Sequence, residues 1–403
     1  QLANGLAITP CCAFGLLFKG RGSGMGPERY LYWHDAVYGS STHRTDSHRC
    51  LSADCAVVTK LHIRKLMIEY IYLIIGFIGL VFGAEILIRG SVNLAHTLKV
   101  SPFIVGVVIV AGGTSIPELA SSLQAINLGV KDIVIGNVIG SNIANILLII
   151  GAVSLVHPIV EIKTSTVSSF SLVHKVGYIV SKNISDFVAI ISSIVFIYFC
   201  VKGVITYLDG LLMLVCLVVF LASLLMKEKA DFQEVPEKSI SLWLSSILVI
   251  IGLLAVIFGS KLFISGALEI ANTLGLSETV IGITIIAIGT SLPELATGLV
   301  AAFKKQTDFA IGNILGSNIY NIFGVLGISS LFADLEVPLL FVRKLRIDEI
   351  GFNLNLSGII YDAWFVLIVT LIFIYLMRVR RRIGKKTGIL FLLIYIFYIF
   401  LLV

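Results

Sequence analysis

The sequence predicts an all-α polytopic membrane protein, with about ten transmembrane helices arranged as two inverted five-helix repeats. Three observations carry this expectation. The 403 residues are 57% hydrophobic and only 13% charged, with a mean hydropathy of +1.00, whereas a water-soluble domain carries about 25% charged residues. The apolar runs from Met67 onward, at roughly 20 residues per spanning helix, fill nearly all the remaining length and leave no sizeable soluble domain. The two halves also repeat each other. The net charge of +6 does not argue for nucleic acid as a partner, because membrane proteins keep Lys and Arg on their cytoplasmic loops in any case. The partner implied by composition is the lipid bilayer of the cell membrane, and no feature points to a protein partner.

Residues 1–66 stand apart in composition. They hold Cys11, Cys12, Cys50 and Cys55 and no apolar run long enough to span a bilayer. His43, His48, Cys50 and Cys55 do not have the spacing of a known zinc finger. The apolar stretch from Leu6 to Phe18 lacks the cationic flank and small-residue cleavage pattern of a signal peptide. Residues 1–66 are therefore expected to be a disordered or spurious extension, dispensable for function, with translation starting at Met67. Cys200 and Cys216 fall within apolar runs, where cysteine usually serves as a small buried hydrophobe.

From Met67 the spans are expected, in order, at 68–89, 101–126, 132–153, 184–201 and 208–226, then 240–266, 277–303, 308–333, 363–377 and 388–403. Lys227 to Ser239, KEKADFQEVPEKS, is the strongly charged, proline-containing linker between the fifth and sixth. The organisation expected is a first five-helix repeat at 67–226, a cytoplasmic linker at 227–239 and a second repeat at 240–403. Sliding the sequence on itself by 176 positions aligns Phe82–Gly151 with Phe258–Gly327 without a gap, with about 31 of the 70 positions identical. An odd number of spans per half makes the second half enter the membrane from the opposite side, which is the inverted-repeat architecture of secondary transporters.

The agreement is densest in GTSIPELA (113–120) against GTSLPELA (289–296), and in IGNVIGSNIANI (135–146) against IGNILGSNIYNI (311–322). Glu118 and Glu294 interrupt apolar segments, where a charge costs at least about 2.5–3.5 kcal/mol. No Lys, Arg or His occupies the same helices at that depth, so the natural counter-charge is a bound cation. Ser115 and Ser291, three residues earlier, share the face of the carboxylate. Pro117 and Pro293 have no N–H and so free the carbonyls of Gly113 and Gly289, a break tolerated at membrane depth where it lines a cavity. In the second block Ser141 with Asn145, and Ser317 with Asn321, share a helical face. Gly136 with Gly140, and Gly312 with Gly316, offer small-residue faces for close helix approach. The donors are two carboxylates, four hydroxyls, two amide oxygens and free carbonyls, without sulfur or imidazole. This set suits calcium or sodium and not a transition metal. Gln124, whose counterpart is Val300, reads as a packing or pore-lining residue. Asp132 and Asp308 stand at helix starts, where a carboxylate favours the helix dipole.

The paired GTS-x-PE and GN-x-x-GSN-x-x-N blocks resemble the alpha repeats of the calcium/cation antiporter superfamily, particularly its prokaryotic sodium/calcium exchangers. The resemblance implies a secondary antiporter without cofactors whose cargo is calcium and sodium. It implies coordination by Glu118, Glu294, Ser115, Ser291, Ser141 and Ser317, by the carbonyls of Thr114 and Thr290, and by Asn145. Some branches of the superfamily, the potassium-dependent exchangers among them, carry Asp where this chain has Asn321. The amide weighs against potassium dependence, leaves two carboxylates in the site, and keeps proton/calcium exchange open as the alternative. No His or Lys is placed to activate either serine as a nucleophile, so an enzyme is not expected. A passive channel would more naturally assemble as an oligomer around a pore. If the loop after the ninth helix is cytoplasmic, its side of the membrane holds about 16 basic residues against about six opposite. The linker is then inside and residue 67 outside.

Overall fold

The computed structural model describes residues 44–160, 172–227, 240–273, 289–337, 342–344 and 355–402, and the chain forms two compact units, Gln1–Ile68 and Glu69–Val403. The first half contains α1 (Arg44–Leu98), then α2 (Pro102–Val105), which passes through a π-helical turn (Gly106–Val110) into α3 (Ala111–Thr114). It continues with α4 (Ile116–Asn127), α5 (Asp132–Ile143), a second π-helical turn (Ala144–Ile149) and α6 (Ile150–Val156). Strand β1 (Ile159–Val160), α7 (Leu172–Lys202), β2 (Val204–Ile205) and α8 (Tyr207–Lys227) complete it. Among the described residues the second half comprises α9 (Leu242–Thr273), α10 (Leu292–Phe303), α11 (Thr307–Ile319), a π-helical turn (Tyr320–Leu326), α12 (Gly327–Phe332), β3 (Leu335–Glu336), β4 (Val342–Lys344) and β5 (Asn355–Ser357). Then come α13 (Gly358–Tyr375), a last π-helical turn (Leu376–Arg380), β6 (Arg382–Ile383) and α14 (Lys385–Leu402).

The described residues are mostly helical, and eight helical segments among them are long and apolar enough to cross a membrane. The shorter α10 and α14 account for the other two expected spans, while the start of the seventh span, 277–288, lies outside the described residues. Several boundaries differ from expectation, two of them by more than ten residues. The first helix begins at Arg44 and the fourth at Leu172, because neither segment contains a proline or a glycine pair to stop a helix from growing backward. Residues 44–66 are thus helical, and residues 1–43 lie outside the described residues. Cys200 is buried as expected, but Cys216 is exposed on the surface of α8.

The inversion is visible in how α1 meets α9. A Cβ on Gly76 would lie 2.3 Å from the Phe263 amide nitrogen, one on Gly83 2.8 Å from that of Val256, and one on Gly90 2.8 Å from that of Val249. Partner numbers fall as residue numbers rise, so the helices are antiparallel. The contacts of Gly252 with Leu87, Gly259 with Leu80 and Gly266 with Leu73 are the same three seen from the other half, shifted by 176. Reciprocity of this kind is the signature of a two-fold relation. Because the paired helices are antiparallel, the axis lies across them.

The fifth helix of each half packs on the third of the other. Gly210 of α8 meets Gly327 and Ser330 of α12, and Gly388 of α14 meets Gly151 and Ser154 of α6. Two short antiparallel ladders fasten the exchange: Ile205 pairs with Leu335, and Ile159 with Ile383. Asp186 of α7 holds Arg378 at 2.5 Å, and Glu85 of α1 holds Lys304 beyond α10 at 2.7 Å. Gly312 of α11 sits so close to α2 that a Cβ there would lie 2.3 Å from the Phe103 carbonyl oxygen. Among the described residues nothing comes within 4 Å of a Cβ placed on Gly136 or Gly140. Gly312→Ala must push two backbones apart, an overpacking cost of about 1–3 kcal/mol. Its unfolding temperature in detergent should fall by several degrees, and an unchanged transition would show that α2 and α11 separate freely.

Candidate functional site

Each GTS-x-PE block makes a helix break. In the first half α3 ends at Thr114, Ser115 leaves helical geometry (φ −81°, ψ 2°), and α4 restarts with Pro117 in its first turn. In the second, Ser291 does the same (φ −87°, ψ 6°) ahead of α10 and Pro293. Proline without an N–H is tolerated in a first turn, where that hydrogen would have no partner anyway. Glu118 and Glu294 therefore fall in the first turns of α4 and α10, where the helix dipole favours negative charge. Both are 1% exposed. The side chains of Thr114 and Ser317 flank Glu294. The carbonyl of Gly289, expected to be free, instead accepts a hydrogen bond from Ser260 at 3.3 Å. Ala84 stands where the first half would need the equivalent serine.

Packing between the halves gathers the remaining positions. α4 touches the π-helical turn 320–326 carrying Asn321, and α10 touches the turn 144–149 carrying Asn145. Single π-helical turns recur at functional sites because they re-aim side chains out of the helical register. Ser115, Ser141, Asn145, Ser291, Ser317 and Asn321 are all buried, as is Thr114, while Thr290 is half-buried in the turn before Ser291.

Most buried polar groups in proteins find hydrogen-bond partners, and one left without costs about 1–3 kcal/mol. Among the described residues the exceptions concentrate at these two breaks. Nine of them are Ser115 Oγ, Glu118 Oε2, Ser141 Oγ, Asn145 Oδ1, Ser291 Oγ, both carboxylate oxygens of Glu294, Ser317 Oγ and Asn321 Oδ1, while the hydroxyls of Ser91, Ser245 and Ser329 lie elsewhere. Every one of these nine is oxygen. No group of three or more His, Cys, Asp or Glu able to hold a metal occurs among the described residues, so most of the donors are neutral. Such an array suits a hard cation that accepts many oxygens at flexible geometry.

The expected residues omitted a second set that braces the first. Asn137 Nδ2 donates to the Glu118 carbonyl at 3.2 Å and to Ser121 Oγ at 3.2 Å, tying α5 to the turn that carries the carboxylate. In the other half Asn313 Nδ2 donates to Thr297 Oγ1 at 3.0 Å, and Thr297 donates to the carbonyl of Glu294 at 3.0 Å. Thr114 Oγ1 donates across the halves to Asn313 Oδ1 at 3.4 Å. Asn142 and Asn318, also across the halves, bond to the two site asparagines. All four of these bracing asparagines were visible as identities within the repeated GN-x-x-GSN-x-x-N block. Gln124 carries no part of the arrangement, and Asp132 and Asp308 stand in the first turns of α5 and α11 as expected.

Comparison with known proteins gives one family, described as sodium/calcium exchanger protein, which matches residues 68–226 and 244–403. The sodium/calcium exchanger MaX1 of Methanosarcina acetivorans is 30% identical over 319 residues, covering 67% of this chain and 85% of its own length. An uncharacterized membrane protein of Methanocaldococcus jannaschii is 33% identical over 328 residues, covering 81% of this chain and 95% of its own. Among solved structures, the sodium-calcium exchanger NCX_Mj soaked with 10 mM sodium and no calcium superposes with a TM-score of 0.65 at 32% identity, over 83% of this chain and 98% of that one.

Proposed function

The chain belongs to the sodium/calcium exchanger family, multi-pass membrane transporters and not enzymes, and on that premise we propose that it exchanges calcium for sodium by alternating access. In this reading the ions lie near the bilayer midplane between the two halves. They are held by Glu118, Glu294, Ser115, Ser291, Ser141, Ser317, Asn145, Asn321 and the carbonyls of Thr114 and Thr290. The observation that carries it is the cluster of buried oxygens without hydrogen-bond partners at the two helix breaks.

Calcium takes six to eight oxygens at about 2.3–2.6 Å, and its charge offsets two carboxylates. The neutral hydroxyl and amide oxygens are the kind sodium also accepts, so one cavity serves both ions in turn. The two-fold relation between halves supplies the rest: an arrangement open to one side of the membrane has an equivalent, with the roles of the halves exchanged, open to the opposite side, and alternation between the two presents the same ligands to each. Calcium uptake into proteoliposomes tests the reading. Uptake is expected with sodium loaded inside and absent outside. Uptake that needs no sodium and follows only a pH gradient, acid inside, would assign the protein to proton/calcium exchange.

A further inference from the structure

We propose that Asn142 and Asn318 are positioning residues that fix which end of each site amide faces the ions; this rests on the reading of Asn145 and Asn321 as ligands. An asparagine amide has a donor end and an acceptor end of nearly equal shape, and the wrong end aimed at a cation repels it. Something must choose between them.

The choice starts at the backbone. Asn142 Nδ2 lies 3.5 Å from the carbonyl oxygen of Asn318, and Asn318 Nδ2 lies 3.4 Å from that of Asn142. A peptide carbonyl only accepts, so the nitrogen end of each of these amides is committed to it. Their Oδ1 atoms are thereby turned toward the site asparagines. Asn145 Nδ2 donates to Asn318 Oδ1 at 2.9 Å, and Asn321 Nδ2 donates to Asn142 Oδ1 at 3.1 Å. The oxygens of Asn145 and Asn321 then have one direction left, and these are two of the buried oxygens without a hydrogen-bond partner. Turning Asn145 over would set Oδ1 against Oδ1 and push an NH2 group among the ligands. Polarity thus passes from a carbonyl, through one amide, to the next, and it does so twice, once in each direction across the pseudo-two-fold axis. All four side chains are buried, at 5% exposure or less, so water does not substitute for a missing partner.

The test uses the fact that a carboxylate has no wrong end. The apparent KM for calcium is measured in proteoliposomes for Asn318→Ala in the native chain and in a chain that also carries Asn145→Asp. Removing an outer partner of a metal ligand typically costs about 10–100-fold in metal affinity, so KM should rise at least about tenfold in the native chain. In the Asn145→Asp chain the same change should move KM less than about threefold. Asn142→Ala with Asn321→Asp is expected to give the mirror result. An equal effect in both backgrounds, or none in the native chain, would overturn the inference. If Asn318→Ala does not fold, Asn318→Leu keeps the volume and carries the same comparison. Loss of fold by both variants in both backgrounds would mean a purely structural role and would likewise overturn it. Failure of the underlying reading looks different: Asn145→Ala would then leave KM for calcium unchanged.

Discussion

Glu118→Gln and Glu294→Gln are each expected to abolish calcium uptake while leaving a folded protein. Glutamine keeps the shape of the side chain, so the packing of α4 and α10 is not at risk; only the charge is lost. At an effective dielectric constant near 20, a unit charge 4 Å from another is worth about 4 kcal/mol. A divalent ion at coordination distance loses more than that when one of its two carboxylates becomes an amide. Each 1.4 kcal/mol is a tenfold change in affinity, so the loss exceeds a hundredfold and uptake falls below detection. The pseudo-two-fold relation adds a sharper expectation, that the two variants fail to a similar degree, because Glu118 and Glu294 occupy equivalent first turns and are equally buried. Calcium uptake assayed beside a melting curve in detergent checks this. Near-normal uptake by either variant would remove that glutamate from the site.

The carboxylates were legible because their cost is local. An acid in an apolar span, three residues after a serine and one after a proline, needs no knowledge of the fold to be suspicious. The inversion was legible for a similar reason, since two long blocks at a fixed offset with an odd number of spans between them constrain topology directly. Asn142 and Asn318 were not, although they stand in the same repeated block. Whether an amide serves as ligand or as brace depends on what meets it from the other half, and Asn142 meets Asn318 across 176 residues of chain. The π-helical turns that carry Asn145 and Asn321 were hidden too, since one extra residue per turn leaves no mark on an already apolar run. Gly289 shows the limit most simply. Proline frees a carbonyl by covalent structure alone, but Ser260, on another helix, takes it up. The exchange of fifth helices between halves, with its two small ladders, belongs with these. It rests on contacts such as Gly210 against Ser330, which connect distant segments.

Sodium-driven calcium uptake is expected to respond to membrane potential. The two carboxylates supply a charge of about −2, which one calcium ion neutralises. In the proposed site the neutral oxygens of Ser115, Ser141, Ser291, Ser317, Asn145 and Asn321 supply donors enough for more than two sodium ions in its place. If three sodium ions bind, the sodium-loaded site carries about one net positive charge and the calcium-loaded site none, so each cycle moves one charge in the direction of sodium. Moving that charge is worth about 2.3 kcal/mol per 100 mV, which over a full cycle is roughly a fiftyfold bias in the equilibrium distribution of calcium. Calcium uptake exports sodium and hence positive charge, so an inside-positive potential should accelerate it and an inside-negative one slow it. Proteoliposomes loaded with sodium and clamped by potassium and valinomycin at either sign provide the measurement. Rates indifferent to the imposed potential would mean that two sodium ions replace one calcium, leaving the neutral oxygens to position ions without adding a third.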